Sequence, residues 1–459
     1  MKLIYDVNDR PHAGQLIIFA FQQLLAILAA TIAVPSIVGN GMSQSAALFG
    51  AGVGTIVYLL FTKFKSPVFL GSSFAFLGSM FAAFAGAVSV EAGYAGLIIG
   101  AIFAGIVYII IAIVVKVAGV GWIDKIMPPV VIGPTVAIIG LSLAGNAISD
   151  SFSGMYDSAA GAFVMTPATW ASFICAIVTL LVIVCCSVFG KRMAKLIPFI
   201  IGIIAGYVVA LIFTLTTSQH LIDFSLFQNM KWVPDFTFLK AAQGFAAVDG
   251  KYIATIAVAY IPVAFVVFAE HIADHKNLSS IIGKELLREP GLHRTLLGDG
   301  VGSIAGSIFG GCPNTTYGES VGCVAITGNA SVVTIFTTAI LAIVISFVGP
   351  FVTFLSTIPS CVMGGVCITL YGFIAVSGLK MIQPVDLGNN RNLFVVSVIL
   401  IAGIGGMTMK IGNVTLTEIA AALILGIIVN LILGRSDKKN NTNGVPEDVS
   451  IPANKDTLQ

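Results

Sequence analysis

A polar stretch interrupted by glycines lies within a strongly apolar part of the chain. It runs from Cys312 to Gly328 and carries one carboxylate, that of Glu319, beside a row of hydroxyl side chains. If its apolar surroundings cross a membrane, lipid cannot satisfy the bare backbone of such a stretch. The stretch must then face protein or a water-filled cavity. An ionisable side chain at that depth is a candidate functional group.

The neighbours of Glu319 predict a site for a small polar ligand. Tyr317 and Ser320 lie next to the carboxylate, and the start of a broken helix offers unpaired backbone N–H groups and a positive dipole end. A ligand could accept hydrogen bonds from those N–H groups and donate one to Glu319. The alternative is a structural carboxylate that bonds only to local backbone.

A second acidic group follows the apolar run that ends at Glu270. Asp274 lies one helical turn further on the same face, and His271 and His275 adjoin the two carboxylates. Like charges at this spacing repel, so we expect one carboxyl to hold a proton or to use a nearby donor in a low dielectric. The alternative places Asp274 and His275 in solvent at a helix end.

Composition places these groups in a membrane protein. The chain is 57% hydrophobic and 10% charged, whereas soluble domains carry about 25% charged residues. We therefore predict an all-α polytopic membrane protein, and the many glycines and prolines fit closely packed and broken helices. The net charge of +2 indicates no nucleic acid partner. We predict no catalytic residue, no metal and no cofactor.

Runs of about 20 apolar residues, the length that spans a bilayer, predict fourteen transmembrane segments. They are 15–34, 46–62, 68–86, 94–115, 127–145, 169–189, 197–217, 252–272, 295–310, 317–328, 331–349, 360–377, 393–409 and 416–434. The ninth and tenth segments are short and rich in glycine.

The positions of Lys and Arg predict that both termini are cytoplasmic in a multi-pass protein of the cell membrane. With the N-terminus inside, the inner loops carry Lys63, Lys65, Lys116, Lys125, Lys191, Arg192, Lys195, Lys276, Lys284, Arg288, Arg294, Lys380 and Arg391. The long loop 217–251 falls outside in spite of Lys231 and Lys240. Residues 435–459 are polar and are predicted to form a disordered cytoplasmic tail.

Short internal matches indicate two inverted repeats of seven segments each. Ser72-Ser73-Phe74-Ala75 in the third segment is similar to the run 315–318 before the tenth, and the pair Pro128 and Gly133 recurs as Pro359 and Gly364. Inverted repeats with broken helices are typical of secondary transporters, whose site lies near the membrane midplane. Ser73 and Phe74 would then face Glu319, with Phe74 offering a flat face to a planar ring or packing as a core residue.

The run Pro313-Asn314-Thr315-Thr316-Tyr317-Gly318-Glu319 resembles the signature of the nucleobase–cation symporter-2 family, also called nucleobase–ascorbate transporters. Within that family the chain is most similar to the bacterial uracil permeases. The runs 70–76, 269–271 and 286–294 also match, and the resemblance extends from Arg10 to Gly434.

The resemblance implies a core domain, 1–125 (segments 1–4) and 251–350 (segments 8–11), and a gate domain, 126–250 (segments 5–7) and 351–434 (segments 12–14). It also implies a short antiparallel strand before a half-helix in segments 3 and 10, with the base bound between them. By the resemblance, Glu270 and Glu319 hold the ring and the backbone of Phe74 and Gly318 completes its polar contacts. The predicted site thus comprises Glu270, Glu319, Ser73, Phe74, Gly318, Tyr317, Tyr371 and Ala30.

The chemistry of uracil fits such a site, because the ring presents N–H donors to carboxylates and carbonyl acceptors to backbone N–H groups. Purine-transporting relatives commonly carry Gln at the position of Glu319, so Glu favours a pyrimidine. The chain departs from the family pattern at Gln23, where His is frequent, at Ser320, where Asn is usual, and at Asp274, where a well-known uracil permease has His.

These observations predict a transporter that imports uracil by proton symport through alternating access between core and gate. Glu270, Asp274 and Glu319 are the candidates for proton coupling, and Na⁺ stays open as the coupling ion. The alternatives are a carrier of another nucleobase such as xanthine or uric acid, and an anion exchanger or channel of the same architecture. A membrane-embedded enzyme is the least favoured class, since no metal-binding pattern occurs. Membrane lipid is an expected partner, and a homodimer through the gate domain stays open.

Overall fold

The computed structural model describes residues 3–119, 122, 128–158, 160–191, 193–411 and 414–441. Its helices are α1 Ala13–Val38, α2 Gln44–Phe61, α3 Leu77–Ala85, α4 Val90–Ala118, α5 Pro129–Ser142, α6 Ala144–Ser151, α7 Pro167–Phe189, α8 Met193–Leu196, α9 Pro198–Thr216, α10 Thr237–Gly244, α11 Gly250–Ile282, α12 Leu292–Gly310, α13 Gly318–Thr327, α14 Val332–Ile345, α15 Gly349–Ser356, α16 Ser360–Ile382, α17 Asn390–Ile404 and α18 Glu418–Asn441. Its strands are β1 Leu70–Ser72, β2 Tyr156–Asp157, β3 Ala162–Phe163, β4 Asn314–Thr316, β5 Met409–Ile411 and β6 Val414–Leu416.

The fold is mostly helical and of the multi-pass membrane type. Within the described residues, eight helical stretches are long and apolar enough to cross a membrane. A ninth is obtained if α14 and α15, which meet at a bend of 83°, are taken as one broken span. The third and tenth predicted segments contain only short helices, α3 and α13; β1 lies inside the third segment, and β4 directly precedes the tenth.

Two short strands, β1 and β4, pack against α2 and α12 and precede the half-helices α3 and α13. β1 and β4 pair antiparallel, with Leu70 opposite Thr316 and Ser72 opposite Asn314. A 3₁₀ turn, Phe74–Phe76, follows β1, and α13 follows β4. The antiparallel pair implied by the family resemblance is confirmed, and it brings the starts of two short helices face to face.

Asn314 and several glycines allow α2 and α12 to approach closely around this strand pair. The Asn314 side-chain amide donates to the Gly50 carbonyl at 2.9 Å, and a Cβ atom at Gly306 would collide with the same Asn314 side chain. A side chain at either glycine would separate the helices that hold β4.

The helices form two packing groups. In the first, α12 packs on α2 and α4, α14 packs on α1 and α2, and α11 packs on α3 and α4. In the second, α16 packs on α5, α6 and α7, α9 packs on α7, and α17 packs on α5 and α18. The first group is drawn from the ranges predicted as core and the second from those predicted as gate.

Several features differ from the sequence-based expectations. The loop predicted for 217–251 contains α10, which packs on α4 and α12 of the first group. Helix α11 continues to Ile282, beyond the predicted segment end at 272, because its C-terminal part buries His275 and Leu278. Helix α18 extends to Asn441, into the first part of the predicted tail. The rest of the predicted tail, 442–459, lies outside the described residues.

Candidate functional site

A cavity of about 350 Å³ lies between the two packing groups, beside the β1–β4 pair. Most of the predicted site residues line it: Ser73, Phe74, Glu270, Tyr317, Gly318 and Glu319. The second group contributes a mainly apolar wall that the sequence did not indicate: Val136, Ile139, Phe199, Leu370, Phe373, Ile374, Ser377 and Met381. The cavity is within the usual volume range for sites of small organic ligands.

The polar side of the cavity is acidic. Glu270 and Asp274 of α11 and Glu319 of α13 all line it, and no lysine or arginine does so among the described residues. Asp274 is held in place because the hydroxyl of Thr316 donates to its Oδ2 at 2.9 Å. Carboxylates can accept hydrogen bonds from N–H donors of a ligand, so the cavity suits a neutral ring that carries such donors.

The two helix starts beside the strands supply the complementary donors. The first N–H groups of a helix have no intrahelical partner, and the residues that open these turns, Phe74 and Gly318, both line the cavity. The Tyr317 hydroxyl donates to the Ser72 carbonyl at 2.8 Å, which ties the second start to the first strand. Donors and acceptors for a small polar ring therefore converge from α11 and from both strand ends.

Two predicted pocket residues lie outside the cavity lining. Tyr371, a buried residue of α16, contacts the Phe74 ring edge to face, with centroids 5.9 Å apart and planes at 79°. It can therefore set the position of Phe74 from the second packing group. Ala30 is buried within α1 and is not among the lining residues.

Two of the departures from the family pattern are in contact with each other. The Gln23 side-chain amide of α1 donates to Ser320 Oγ at 2.6 Å, and both residues are buried. The same hydroxyl oxygen accepts from the Phe69 backbone N–H at 3.0 Å. Ser320 therefore joins α1, the residue before β1 and the first turn of α13.

A buried polar network behind the cavity was missed by sequence reasoning. His271 Nδ1 lies 2.7 Å from Asp299 Oδ2, and its Nε2 lies 2.9 Å from the Thr295 hydroxyl. His275 Nδ1 donates to the His271 carbonyl at 2.8 Å, and its Nε2 lies 2.7 Å from the Tyr58 hydroxyl. The alternative that His275 is solvated at a helix end is wrong, because its side chain is fully buried. The sequence did contain one signal of this network: Asp299 is a carboxylate inside the ninth predicted segment, where an ionisable side chain needs a partner.

A cavity flanked by broken helices, at the contact of two helical groups in a membrane fold, is typical of secondary transporters. The chain belongs to the Xan_ur_permease family, described as a permease family, whose model matches residues 14–412. The chain is therefore a transporter rather than an enzyme.

Two similar relatives cover nearly the whole chain. The "Uracil permease" of Bacillus caldolyticus is 40% identical over 446 residues, which is 96% of this chain and 97% of the relative. The "Uracil permease" of Bacillus subtilis (strain 168) is 39% identical over 445 residues, or 95% and 97% of the two chains.

Among solved structures, the fold is similar to the transmembrane domain of the cyanobacterial bicarbonate transporter BicA. The TM-score is 0.64 at 16% identity, and the match covers 93% of this chain and all of that domain. At this identity the likeness establishes the architecture alone.

Proposed function

We propose that this chain is a secondary active transporter that imports uracil by proton symport. The observation that carries the proposal is one cavity lined by Glu270, Asp274, Glu319 and two helix starts. Its acceptors and donors match the N–H and carbonyl groups of a pyrimidine. Relatives named uracil permeases at this identity support the same substrate. An acidic lining without a lysine or arginine among the described residues disfavours an anion path.

The proposed cycle is alternating access between a core, 1–125 and 251–350, and a gate, 126–250 and 351–434. The two packing groups support this division, with α10 packed on the core side. We further propose fourteen segments in two inverted repeats. In support, Pro128 and Pro359 each precede a helix, α5 and α16, and these helices pack on each other.

The proposed roles of the site residues follow from their positions. Glu270 and Glu319 accept from the ring N–H groups, and the backbone N–H groups at Phe74 and Gly318 donate to its carbonyls. Ser73 and Tyr317 shape the polar side, Tyr371 orients Phe74, and Ala30 supports the site from α1. Glu270 carries the coupling proton, with Asp274 and Glu319 as further candidates, and the coupling ion is H⁺ rather than Na⁺.

The proposed location is the cell membrane, with both termini in the cytoplasm. Apolar side chains exposed on α7 and α9, such as Leu181, Ile204 and Ile212, face lipid or a second gate domain in a homodimer. Gly202 and Gly206 of α9 are not available for that contact, because they pack closely on α7: a Cβ atom at either position would meet Thr179 or Ile183.

Uptake of labelled uracil into vesicles containing the purified chain tests the function. We expect accumulation when the outside is more acidic, little accumulation without a gradient, and recovery of chemically unchanged uracil. Unlabelled uracil should compete, whereas xanthine, uric acid and bicarbonate should compete weakly. Strong competition by xanthine would reassign the substrate, and accumulation driven only by a Na⁺ gradient would reassign the coupling ion.

Replacement of Glu270 by Gln tests the coupling role, since Gln mimics a permanently protonated carboxyl. We expect the variant to lose accumulation driven by a pH gradient, because a carrier without the titrating group cannot respond to that gradient. Residual exchange of bound uracil should become insensitive to pH. The matched control is Glu285→Gln, which changes an exposed glutamate beyond α11. If Glu270→Gln still concentrates uracil in response to pH, the proton is carried by Asp274 or Glu319.

A further inference from the structure

The segment before α1 is bound to the inner end of α13, the half-helix that carries Glu319. The backbone N–H groups of Ile4 and Tyr5 donate to the Gly328 carbonyl, at 2.7 and 3.3 Å. In the opposite direction, the Ala330 N–H donates to the Tyr5 carbonyl at 2.9 Å and the Val332 N–H to the Val7 carbonyl at 3.1 Å. Residues 4–7 therefore lie against the α13–α14 connection in the manner of a parallel strand.

Side chains reinforce this contact from both sides. The Ser331 hydroxyl donates to the Asp9 carbonyl at 2.6 Å, and Val7 is buried against the core. Asp6 forms an ion pair with Lys284, 2.6 Å apart, and this lysine follows the end of α11. The Lys284 ammonium holds the pKa of the Asp6 carboxyl below its usual range. The same segment thus contacts the inner ends of both helices that carry the cavity carboxylates.

The half-helix also packs on α1 and α11, and the backbone bonds to residues 4–7 hold the residues that follow its C-terminal end. α13 has only 10 residues and ends at Gly328, which adopts a left-handed conformation. Short helices are marginal in isolation, so their position depends on tertiary contacts. Because Glu319 lies in the first turn of α13, a displacement at the inner end of the helix also moves this carboxylate.

We infer that residues 3–9 form an inner-face strap that positions α13, and through it Glu319, relative to α11. The positioning role is argued from these contacts alone, and only the expected effect of the strap on uracil binding rests on the proposed function. The strap residues are positioning residues, since none of them lines the cavity.

The first test needs no substrate and compares the full chain with a variant that lacks residues 3–9. Cys323 of α13 and Cys312, which precedes β4, are both buried, and labelling by N-ethylmaleimide is followed by mass spectrometry of each peptide. We expect labelling of Cys323 to accelerate about tenfold, because buried thiols react only when the structure opens. Cys312 is the internal control and should keep its rate. Equal rates for Cys323 in both proteins, or equal acceleration at both cysteines, would overturn the inference.

The second test measures transport. The deletion should raise the KM for uracil about tenfold and leave the maximal rate per inserted carrier unchanged, since a displaced Glu319 weakens binding. A fall in maximal rate at constant KM would instead indicate lost folded carrier and would count against the strap. If the full chain transports no uracil, the proposed function fails, and the thiol test still decides the inference.

Charge reversal provides a milder probe. Asp6→Lys should raise the KM through repulsion with Lys284, and the double variant Asp6→Lys/Lys284→Asp should restore it. The matched control is Asp235→Lys, which disrupts the exposed pair of Asp235 with Lys231, 2.7 Å apart, in the predicted outer loop. An equal rise in KM for Asp235→Lys, or no rescue in the double variant, would contradict a positioning role.

Discussion

At the scale of single residues, the acidic cavity is the basis of both the proposed binding and the proposed coupling. Three carboxylates that face one cavity, without a lysine or arginine in its described lining, are costly to keep charged in a membrane interior. Protons and a ligand with N–H donors both reduce that cost. Proton loading and substrate loading can therefore support each other at the same groups, which is the requirement for symport.

Glu319→Gln should weaken uracil binding about tenfold to a hundredfold. The substitution keeps the shape of the side chain but replaces a charged acceptor by a neutral one, and a charge-assisted hydrogen bond is worth roughly 1.5–3 kcal/mol. Thermal stabilisation by uracil across a concentration series measures the affinity. Glu91→Gln is the matched control, since Glu91 also lies in the first turn of a helix but outside the cavity lining. Unchanged affinity in Glu319→Gln would remove this carboxylate from the site.

Ser320→Ala should destabilise the protein, because it leaves the Phe69 N–H and the Gln23 amide without their buried acceptor. An unsatisfied buried donor costs about 1–3 kcal/mol. Thermal midpoints of Ser320→Ala, Gln23→Ala and the double variant should not be additive, since the two side chains share one hydrogen bond. The exposed Ser397→Ala, which removes a bond only to its own helix at Leu393, should change the midpoint little. Full additivity would refute the pairing.

At the scale of elements, the strand pair depends on glycines of α2 and α12 that leave room for the Asn314 side chain. Gly306→Ala should lower the thermal midpoint, because the new methyl group would collide with Asn314 and disturb its bond to Gly50. Overpacking of this kind costs typically about 1–3 kcal/mol. Gly145→Ala is the control, since a Cβ atom there would meet no neighbouring atom within 4 Å. Equal melting of both variants would show that the α2–α12 approach tolerates a side chain.

The sequence allowed the prediction of those elements that have a local signal. Apolar runs locate the helices, and the glycine- and hydroxyl-rich run at 312–328 indicated the broken segment that β4 and α13 form. The strand pairing itself came from the family resemblance, since Leu70 and Thr316 are distant in sequence.

Contacts between residues that are distant in sequence could not be predicted, because no local sequence pattern indicates them. Gln23 with Ser320, and His271 with Asp299, join different helices, so their pairing depends on how the helices pack. The end of α11 was misplaced because His275 and its polar neighbours resemble a solvated terminus in sequence, whereas in the structure the Tyr58 hydroxyl and the His271 carbonyl satisfy its ring. The bend between α14 and α15, by contrast, had a local signal, because it coincides with Gly349-Pro350, where the predicted segment 331–349 ends.

At the scale of the whole molecule, the two packing groups meet both at the cavity and at a second contact. Val258 of α11 packs against a small buried cluster formed by Leu416, Ala420 and Ala421 of the second group. Relative movement of core and gate must change one of these contacts while the helices inside each group stay packed, because packed cores are not continuously deformable.

Cross-linking this second contact should therefore stop transport without preventing binding. In the double variant Val258→Cys/Ala421→Cys, a short bifunctional thiol reagent should abolish uracil uptake, because the core and gate can no longer separate at α11 and α18. Binding, measured as thermal stabilisation by uracil, should persist, since neither residue lines the cavity. Each single variant treated with the same reagent is the control, and a cleavable reagent should restore uptake when it is cut. Full uptake after complete cross-linking would exclude core–gate movement at this contact as part of the transport cycle.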